Sequence, residues 1–263
     1  MKIAVAGKGG AGKTTFSATA ARLLARSGRR VITIDGDTNP NLHAALGVPV
    51  DPGRRAPSLP ATLVSRRFDG PALTVELSEL LEAYATIAPD GVSVLRMGVP
   101  EHPDEGCMCS AHATVSALLA DLEKQPETVT ILDLEASPEH LGRGTARNAD
   151  VLLLVAEPYF RSLEAVRLQA SLAAQTDIGR VAVVANKCRS DDDSAAISEF
   201  CRRHELELIG VLPWAEAALD ADAAGMPLLD FEPDGELVIA IGAVVEGLVR
   251  PKRAEPSIEE VNA

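Results

Sequence analysis

Gly7-Lys8-Gly9-Gly10-Ala11-Gly12-Lys13-Thr14-Thr15 fits the pattern G-x-x-x-x-G-K-[ST] and follows an apolar run, Ile3-Ala4-Val5-Ala6. An Ala/Leu-rich stretch with helical character comes directly after it. Strand, glycine loop and helix in that order make a phosphate-binding loop. The backbone N–H groups of Gly9, Gly10, Ala11 and Gly12 can curl around a phosphate. Lys13 reaches the β- and γ-phosphates, and the Thr14 hydroxyl, with Thr15 beside it, can take a magnesium ion. The strand placed before this run sets it apart from an ordinary Gly-rich turn. The residues predict a nucleotide-binding chain.

Further polar groups stand at the ends of apolar runs. Val31-Ile32-Thr33-Ile34 runs into Asp35-Gly36-Asp37, and open parallel sheets place ligands at the carboxyl ends of their strands. Asp35 and Asp37 are therefore expected to face the phosphates, the alternative being loop and cap residues. Thr130-Ile131-Leu132 ends in Asp133, expected to hold magnesium through a water because that ion keeps much of its hydration shell. The stretch from Ala136 to Gly144 would then move with nucleotide state. Val183-Val184-Ala185 ends in Asn186, whose amide can pair with the edge of adenine through both donor and acceptor. A helix cap is the alternative for Asn186.

Cys107-Met108-Cys109 offers a second chemistry. Two thiols one residue apart project to the same side of an extended segment. One chain then supplies two soft donors, too few to hold a metal tightly, whereas a twofold dimer supplies four, enough for zinc or nickel. Ser110 reads as the N-cap of a helix starting near Ala111, whose positive end would favour thiolates. Two buried hydrophobic cysteines are the ordinary alternative. Cys188 and Cys201 read as structural.

The elements that must position these groups alternate between strand and helix, the pattern of an α/β fold with a doubly wound, mostly parallel sheet and helices on both faces. Strands are expected at Lys2–Ala6, Val31–Asp35, Val92–Met97, Thr128–Leu134, Val151–Glu157, Val181–Asn186 and Leu206–Val211. Helices are expected at Lys13–Ser27, Ala111–Lys124, Ser162–Gln175, Ser194–His204 and Glu236–Val249. Residues 49–75 have no steady period and read as an excursion at the sheet edge, and Asp191–Asp193 as a solvated loop. The 263 residues suit one domain over 1–250, with 251–263 expected to be a disordered tail. Aromatics are 3% of residues against 46% hydrophobic, so the core must be built from Ala, Val, Leu and Ile. A formal net charge of −13 with scattered arginines opposes nucleic-acid binding. No run approaches a membrane span, residues 2–6 are the first strand rather than a signal, and the tail is not a basic amphipathic helix. The chain is expected to be cytoplasmic, with no membrane partner.

Taken together, the loop, the Glu105-Gly106-Cys107-Met108-Cys109 element and the stretch Leu134-Glu135-Ala136-Ser137-Pro138-Glu139-His140-Leu141-Gly142-Arg143-Gly144-Thr145 resemble CooC proteins. These are the ATPases that mature nickel-containing carbon monoxide dehydrogenase, within the MinD, ParA and nitrogenase iron protein class of P-loop NTPases with a deviant Walker A loop. The likeness runs from Met1 to about Val249. It implies a homodimer closed by ATP, with Lys8 crossing to the partner's nucleotide as an arginine finger does elsewhere. It also implies that Asp37 positions the attacking water, Asp35 supports magnesium and Pro213 packs against the adenine ring. Metal would be captured between two Cys107–Cys109 pairs and nickel released to a client enzyme on hydrolysis, a metallochaperone role; zinc suits the same thiolates. Two departures stand out. Pro40 falls two residues later than in the commonest version of the Asp37 loop. Ser110-Ala111-His112 replaces the Pro-Glu-Asn that commonly follows the second cysteine, and His112 reads as a helix-surface residue or a supplementary ligand. Other readings on the same scaffold are an iron–sulfur reductase, a ParA- or MinD-like positioning switch and an amide-forming ligase. Against the first, residues 134–144 hold no cysteine. The acidic charge and the tail oppose the second, and the absence of a glutaminase domain opposes the third.

Overall fold

Three segments, Lys2–Gly7, Thr128–Leu134 and Val151–Ala156, are buried along their whole length, as strands covered by helices on both faces must be. The computed structural model describes residues 1–49, 56–67, 70–98 and 108–250. Cys107, the tail 251–263 and parts of the 49–75 excursion lie outside the described residues.

The first half of the chain contains β1 (Lys2–Gly7), α1 (Lys13–Arg26), β2 (Arg30–Gly36), α2 (Leu42–Leu46), β3 (Val64–Arg67), β4 (Gly70–Leu73), α3 (Leu77–Tyr84), β5 (Thr86–Ile87), β6 (Ser93–Arg96) and α4 (Cys109–Asp121). Then follow β7 (Thr128–Leu134), α5 (Glu139–Gly142), β8 (Val151–Ala156), α6 (Phe160–Ala173), β9 (Arg180–Cys188), α7 (Asp191–Arg203), β10 (Glu207–Pro213), α8 (Ala217–Ala223), α9 (Leu228–Phe231) and α10 (Glu236–Val249). Eight strands form one sheet in the order β10-β9-β8-β1-β7-β2-β6-β5. All its pairings are parallel except β5 with β6.

Strand alternation separates two apolar layers. Ile3, Val5, Ile131 and Leu153 face α1, α9 and α10, with Phe16, Leu24, Ile241 and Val245 packed on them. Ala4, Ala6, Leu132 and Leu152 face α3, α4, α6 and α7, with Leu80, Val115, Leu118 and Ile197 opposite. Ala4 and Ala6 on the central strand leave room for close helix approach. This doubly wound sheet matches the fold class read from the sequence.

Several local expectations are corrected. Asp191–Asp193 is the first turn of α7, not a loop: the Ser190 hydroxyl accepts from Asp193 N–H at 3.3 Å, and the Asp193 carboxylate accepts from Arg189 N–H at 2.8 Å. Reciprocal capping and three acids at the positive helix end favour that turn. Helix α4 starts at Cys109 rather than near Ala111, with no side chain capping it. Cys109 is thus helical rather than extended, and Ser110 sits inside the first turn. No proline or glycine between 109 and 111 stops the helix from growing back. The excursion contains a small antiparallel hairpin, β3 with β4, lying against α4 and fastened to β6 by Leu59 N–H donating to Arg96 O at 2.9 Å.

Candidate nucleotide site and thiol segment

The loop between β1 and α1 takes its shape from glycine. Gly12 has φ 93° and a Cβ there would sit 2.5 Å from Asn186 Nδ2; at Gly7, φ is 147° and a Cβ would meet Val155 O at 2.6 Å. L side chains rarely adopt either conformation. Ala11 N–H donates to Lys8 O at 3.1 Å, and the Lys13 ammonium donates to the same oxygen at 3.3 Å. Burial lowers the Lys13 pKa, while Asp133 and Asp37 pull it back up.

A cavity of about 400 Å³ opens over this loop. Gly9, Gly10, Gly12, Lys13, Thr14 and Thr15 line one end with Asp37, and Asn186, Pro213 and Trp214 line the other. The structure therefore gathers most of the residues singled out for the nucleotide from four segments far apart in sequence.

Strand ends explain the gathering. In the β2–β7 register Asp35 lies opposite Asp133, and Asp133 also pairs with Val5 of β1. Asp133 is 1% exposed and accepts from the Ser17 hydroxyl at 3.1 Å. Its burial pushes its pKa up to about 7, with the Thr14 hydroxyl opposing and the Asp35 charge adding to the rise. Asp35 is fully buried and pushed up to about 6 by the same desolvation. One Asp35 oxygen accepts from Asp37 N–H at 3.2 Å and the other from Leu42 N–H at 2.9 Å. The Asp35 carboxylate is thereby committed to the backbone of the Asp37 loop, and neither it nor Asp133 is among the residues lining the cavity. Asp37 does line it, half-buried, and its Oδ1 accepts from Asn39 N–H at 2.8 Å.

Asn186 is likewise part of the loop's support. Its Nδ2 donates to Ala11 O at 2.7 Å and its Oδ1 accepts from Lys187 N–H at 2.9 Å, leaving one N–H and one lone pair for a base. Lys187, not singled out from sequence, has φ 60° and donates from Nζ to Gly10 O at 2.5 Å, while pairing with Glu157 at 2.9 Å. These two side chains fasten successive loop carbonyls. Lys8 lies 5.6 Å from the centroid of the Tyr159 ring, and the Tyr159 hydroxyl donates to Glu157 at 2.8 Å.

Sequence reasoning also missed Trp214, which lines the cavity beside Asn186 and Pro213 with Ala215, Ala218, Leu219 and Asp222. Its ring carries the Arg189 guanidinium at 3.9 Å. A single tryptophan immediately after Pro213 was the available signal.

Cys109 is exposed at the first position of α4 and is disulfide-bonded, so metal ligation calls for the reduced protein. The Arg143 guanidinium donates to its sulfur at 3.3 Å from the loop after β7. His112 is buried, not on the helix surface; its Nδ1 shares a 2.7 Å hydrogen bond with Thr145 Oγ1. Among the described residues no group of three or more His, Cys, Asp or Glu is placed to hold a metal ion. Cys188 and Cys201 are free and buried, and burial pushes the Cys201 thiol up to about 11, as suits inert structural cysteines.

Comparison with known proteins decides the family. The CobQ/CobB/MinD/ParA nucleotide binding domain, CbiA, matches residues 2–228. The chain is 35% identical over 243 residues to the carbon monoxide dehydrogenase accessory protein CooC of Rhodospirillum rubrum, covering 89% of this chain and 91% of that one. It belongs to the CobQ/CobB/MinD/ParA family, in its CooC-type branch. This CooC-type chain is also 29% identical over 249 residues to the light-independent protochlorophyllide reductase iron-sulfur ATP-binding protein of Heliobacterium modesticaldum, covering 90% of this chain and 80% of that protein. In fold it is similar to the MinD cell division protein of Aquifex aeolicus, with a TM-score of 0.71 and 21% identity over 96% of this chain and all of that one. The CooC-type chain is an ATP hydrolase of this family. No helix among the described residues is long and apolar enough to cross a membrane.

Proposed function

We propose that this protein is an ATP-dependent metallochaperone that dimerises around nucleotide and delivers nickel to a client of the carbon monoxide dehydrogenase type. The observation that carries the proposal is the contact between Arg143 and Cys109. It joins the loop that follows Asp133 to the segment bearing the thiols, in a chain whose likeness to CooC spans nearly its whole length. The residues also fit magnesium. Asp133 is a buried carboxyl with a raised pKa, within reach of the Thr14 and Ser17 hydroxyls, a donor set of hard oxygens. Thr14 and Asp133 would hold the ion, which when bound supplies positive charge against the β- and γ-phosphates.

For hydrolysis, the loop N–H groups and Lys13 bind and orient the triphosphate, and Asp37 places the attacking water in line. Asp35 holds the Asp37 turn by accepting from its backbone. Lys13, with Lys8 of the partner subunit, takes up charge on the transferring phosphoryl group. Cargo metal is held by reduced Cys107 and Cys109 from both subunits, and nickel or zinc suits four such thiolates.

The test is a Cys107→Ser/Cys109→Ser double variant, reconstituted under reducing conditions. It should lose metal and keep nucleotide binding. Equal metal content in variant and parent defeats the assignment. The likeness to an iron-sulfur ATP-binding protein keeps an iron–sulfur reductase as the second reading, and a brown anaerobic preparation with charge-transfer absorption would favour it.

A further inference from the structure

Two contacts bind the first turn of the thiol helix to the loop after β7, and Asn148 bonds Ser116 further along the helix. One is Arg143 on the Cys109 sulfur. The other lies deeper: His112, one helical turn after Cys109, shares the 2.7 Å bond with Thr145, and both residues are buried. A buried hydrogen bond across 33 residues of sequence ties the two segments at a fixed distance, because breaking it would strand two polar groups away from water. His140, on the same loop, is 2% exposed, and neither of its ring nitrogens has a hydrogen-bond partner among the described residues. Its pKa falls to about 3, chiefly through burial, with His112 and Lys13 both close enough to add to the fall. The loop is thus packed between the nucleotide lysine and the thiol helix. A buried imidazole without a protein hydrogen-bond partner is costly to hold.

We infer that His112 is a positioning residue that, through its bond to Thr145, makes the first turn of α4, and with it Cys109, follow the state of the nucleotide loop. The inference rests on the proposed function only for what the movement accomplishes; the mechanical coupling is independent of any metal. Thr145 stands at the end of the segment beginning at Ala136, which lines the nucleotide cavity. A shift at the cavity end is carried to Thr145, and the bond hands it to His112. Asparagine at 112 would place a polar amide atom near the position of Nδ1, whereas leucine fills similar space with no partner for Thr145.

The experiment is amide hydrogen exchange of the reduced full-length protein, with Mg²⁺ and either ADP or a non-hydrolysable ATP analogue. It compares the parent, His112→Asn, His112→Leu and Thr145→Val, and reads the amides of the first turns of α4. In the parent and His112→Asn, exchange should differ between the two nucleotides by about fivefold, the equivalent of one buried hydrogen bond. In His112→Leu and Thr145→Val the difference should vanish while both nucleotides still bind. Thr145→Val cuts the same bond from the other side with little change in shape, so the test stands if His112→Leu fails to fold. A nucleotide-dependent difference that survives in Thr145→Val, or that is missing from the parent, overturns the inference. Zinc titration of the same reduced proteins, alongside Cys109→Ser, separates the two claims. Zinc binding unaffected by Cys109→Ser defeats the metallochaperone reading and leaves the coupling to the exchange data.

Discussion

Asp35 and Asp133 are register partners on neighbouring parallel strands, both essentially buried, yet their surroundings divide the labour. Asp35 spends both oxygens on backbone N–H groups of the Asp37 loop. Asp133 meets hydroxyls of α1, from Ser17 and Thr14. One acid shapes a loop, and the other sits among side-chain hydroxyls, the set proposed for magnesium. Asp133→Asn should therefore lower magnesium-dependent hydrolysis by roughly a thousandfold, since a metal's charge on the phosphoryl group is worth several kcal/mol. Asp35→Asn should act by loosening the Asp37 turn. Steady-state phosphate release at saturating magnesium distinguishes them, because added Mg²⁺ cannot repair Asp35→Asn.

The same pair sets a pH dependence. Both folded-state pKa values are raised, Asp133 to about 7 and Asp35 to about 6, so the folded protein holds these protons more tightly than the unfolded chain. Their contribution to stability is complete below the unfolded value and is lost as pH rises through about 6 to 7. Without ligands, the melting temperature should carry a downward component across that window. Magnesium with ADP should reverse it, because the ion takes the deprotonated carboxylate. Thermal melts with and without Mg²⁺·ADP check the sign.

Gly12→Ala should cost about 1–3 kcal/mol in stability, the usual range for a residue forced into a sparsely populated backbone region. Its methyl would also press on Asn186 Nδ2. Asn186→Ala, in contrast, frees the Ala11 carbonyl and should weaken nucleotide binding by about fivefold, the worth of one buried hydrogen bond. Calorimetric titration with ADP reads the second effect and denaturant unfolding the first.

Trp214 is the sole tryptophan of the chain and lines the cavity at the end proposed for the base. Intrinsic fluorescence should change saturably with ADP or ATP. The signal should disappear in Trp214→Phe even though titration calorimetry still detects binding. A saturable response retained in that variant would place the base elsewhere.

Lys8 rests beside the Tyr159 ring within its own chain, close to the cavity but outside its lining. Lys8→Ala should reduce hydrolysis by a factor of about 10³ or more, as loss of a cation delivered across an interface does. ADP binding to the single subunit should persist. Sedimentation with the ATP analogue should show the parent, but not the variant, shifting to a dimer.

Much of this architecture was legible as pattern. Buried strands such as Val151–Ala156 announce themselves as unbroken β-branched and aliphatic runs, and the α1 loop by its glycines and Lys13, because these are local demands on φ, on space and on apolar burial. Family membership was legible for the same reason: Glu105–Cys109 and Leu134–Thr145 are contiguous stretches. The short helices α2, α5, α8 and α9 escaped because four to seven residues span too little of a helical period to show one. Asp191–Asp193 looked like a solvated loop, since charge alone does not distinguish a loop from a capped first turn.

What only the folded chain decided was which polar groups spend their bonds on the protein itself. Asn186 and Lys187 brace loop carbonyls some 175 residues away in sequence, Asp35 binds backbone rather than facing the cavity, and His112 is a buried partner of Thr145 instead of a surface residue. No sequence spacing encodes those pairings. They arise when parallel strands bring their carboxyl ends together, and low dielectric then drives most buried donors and acceptors to find partners among whatever side chains converge there.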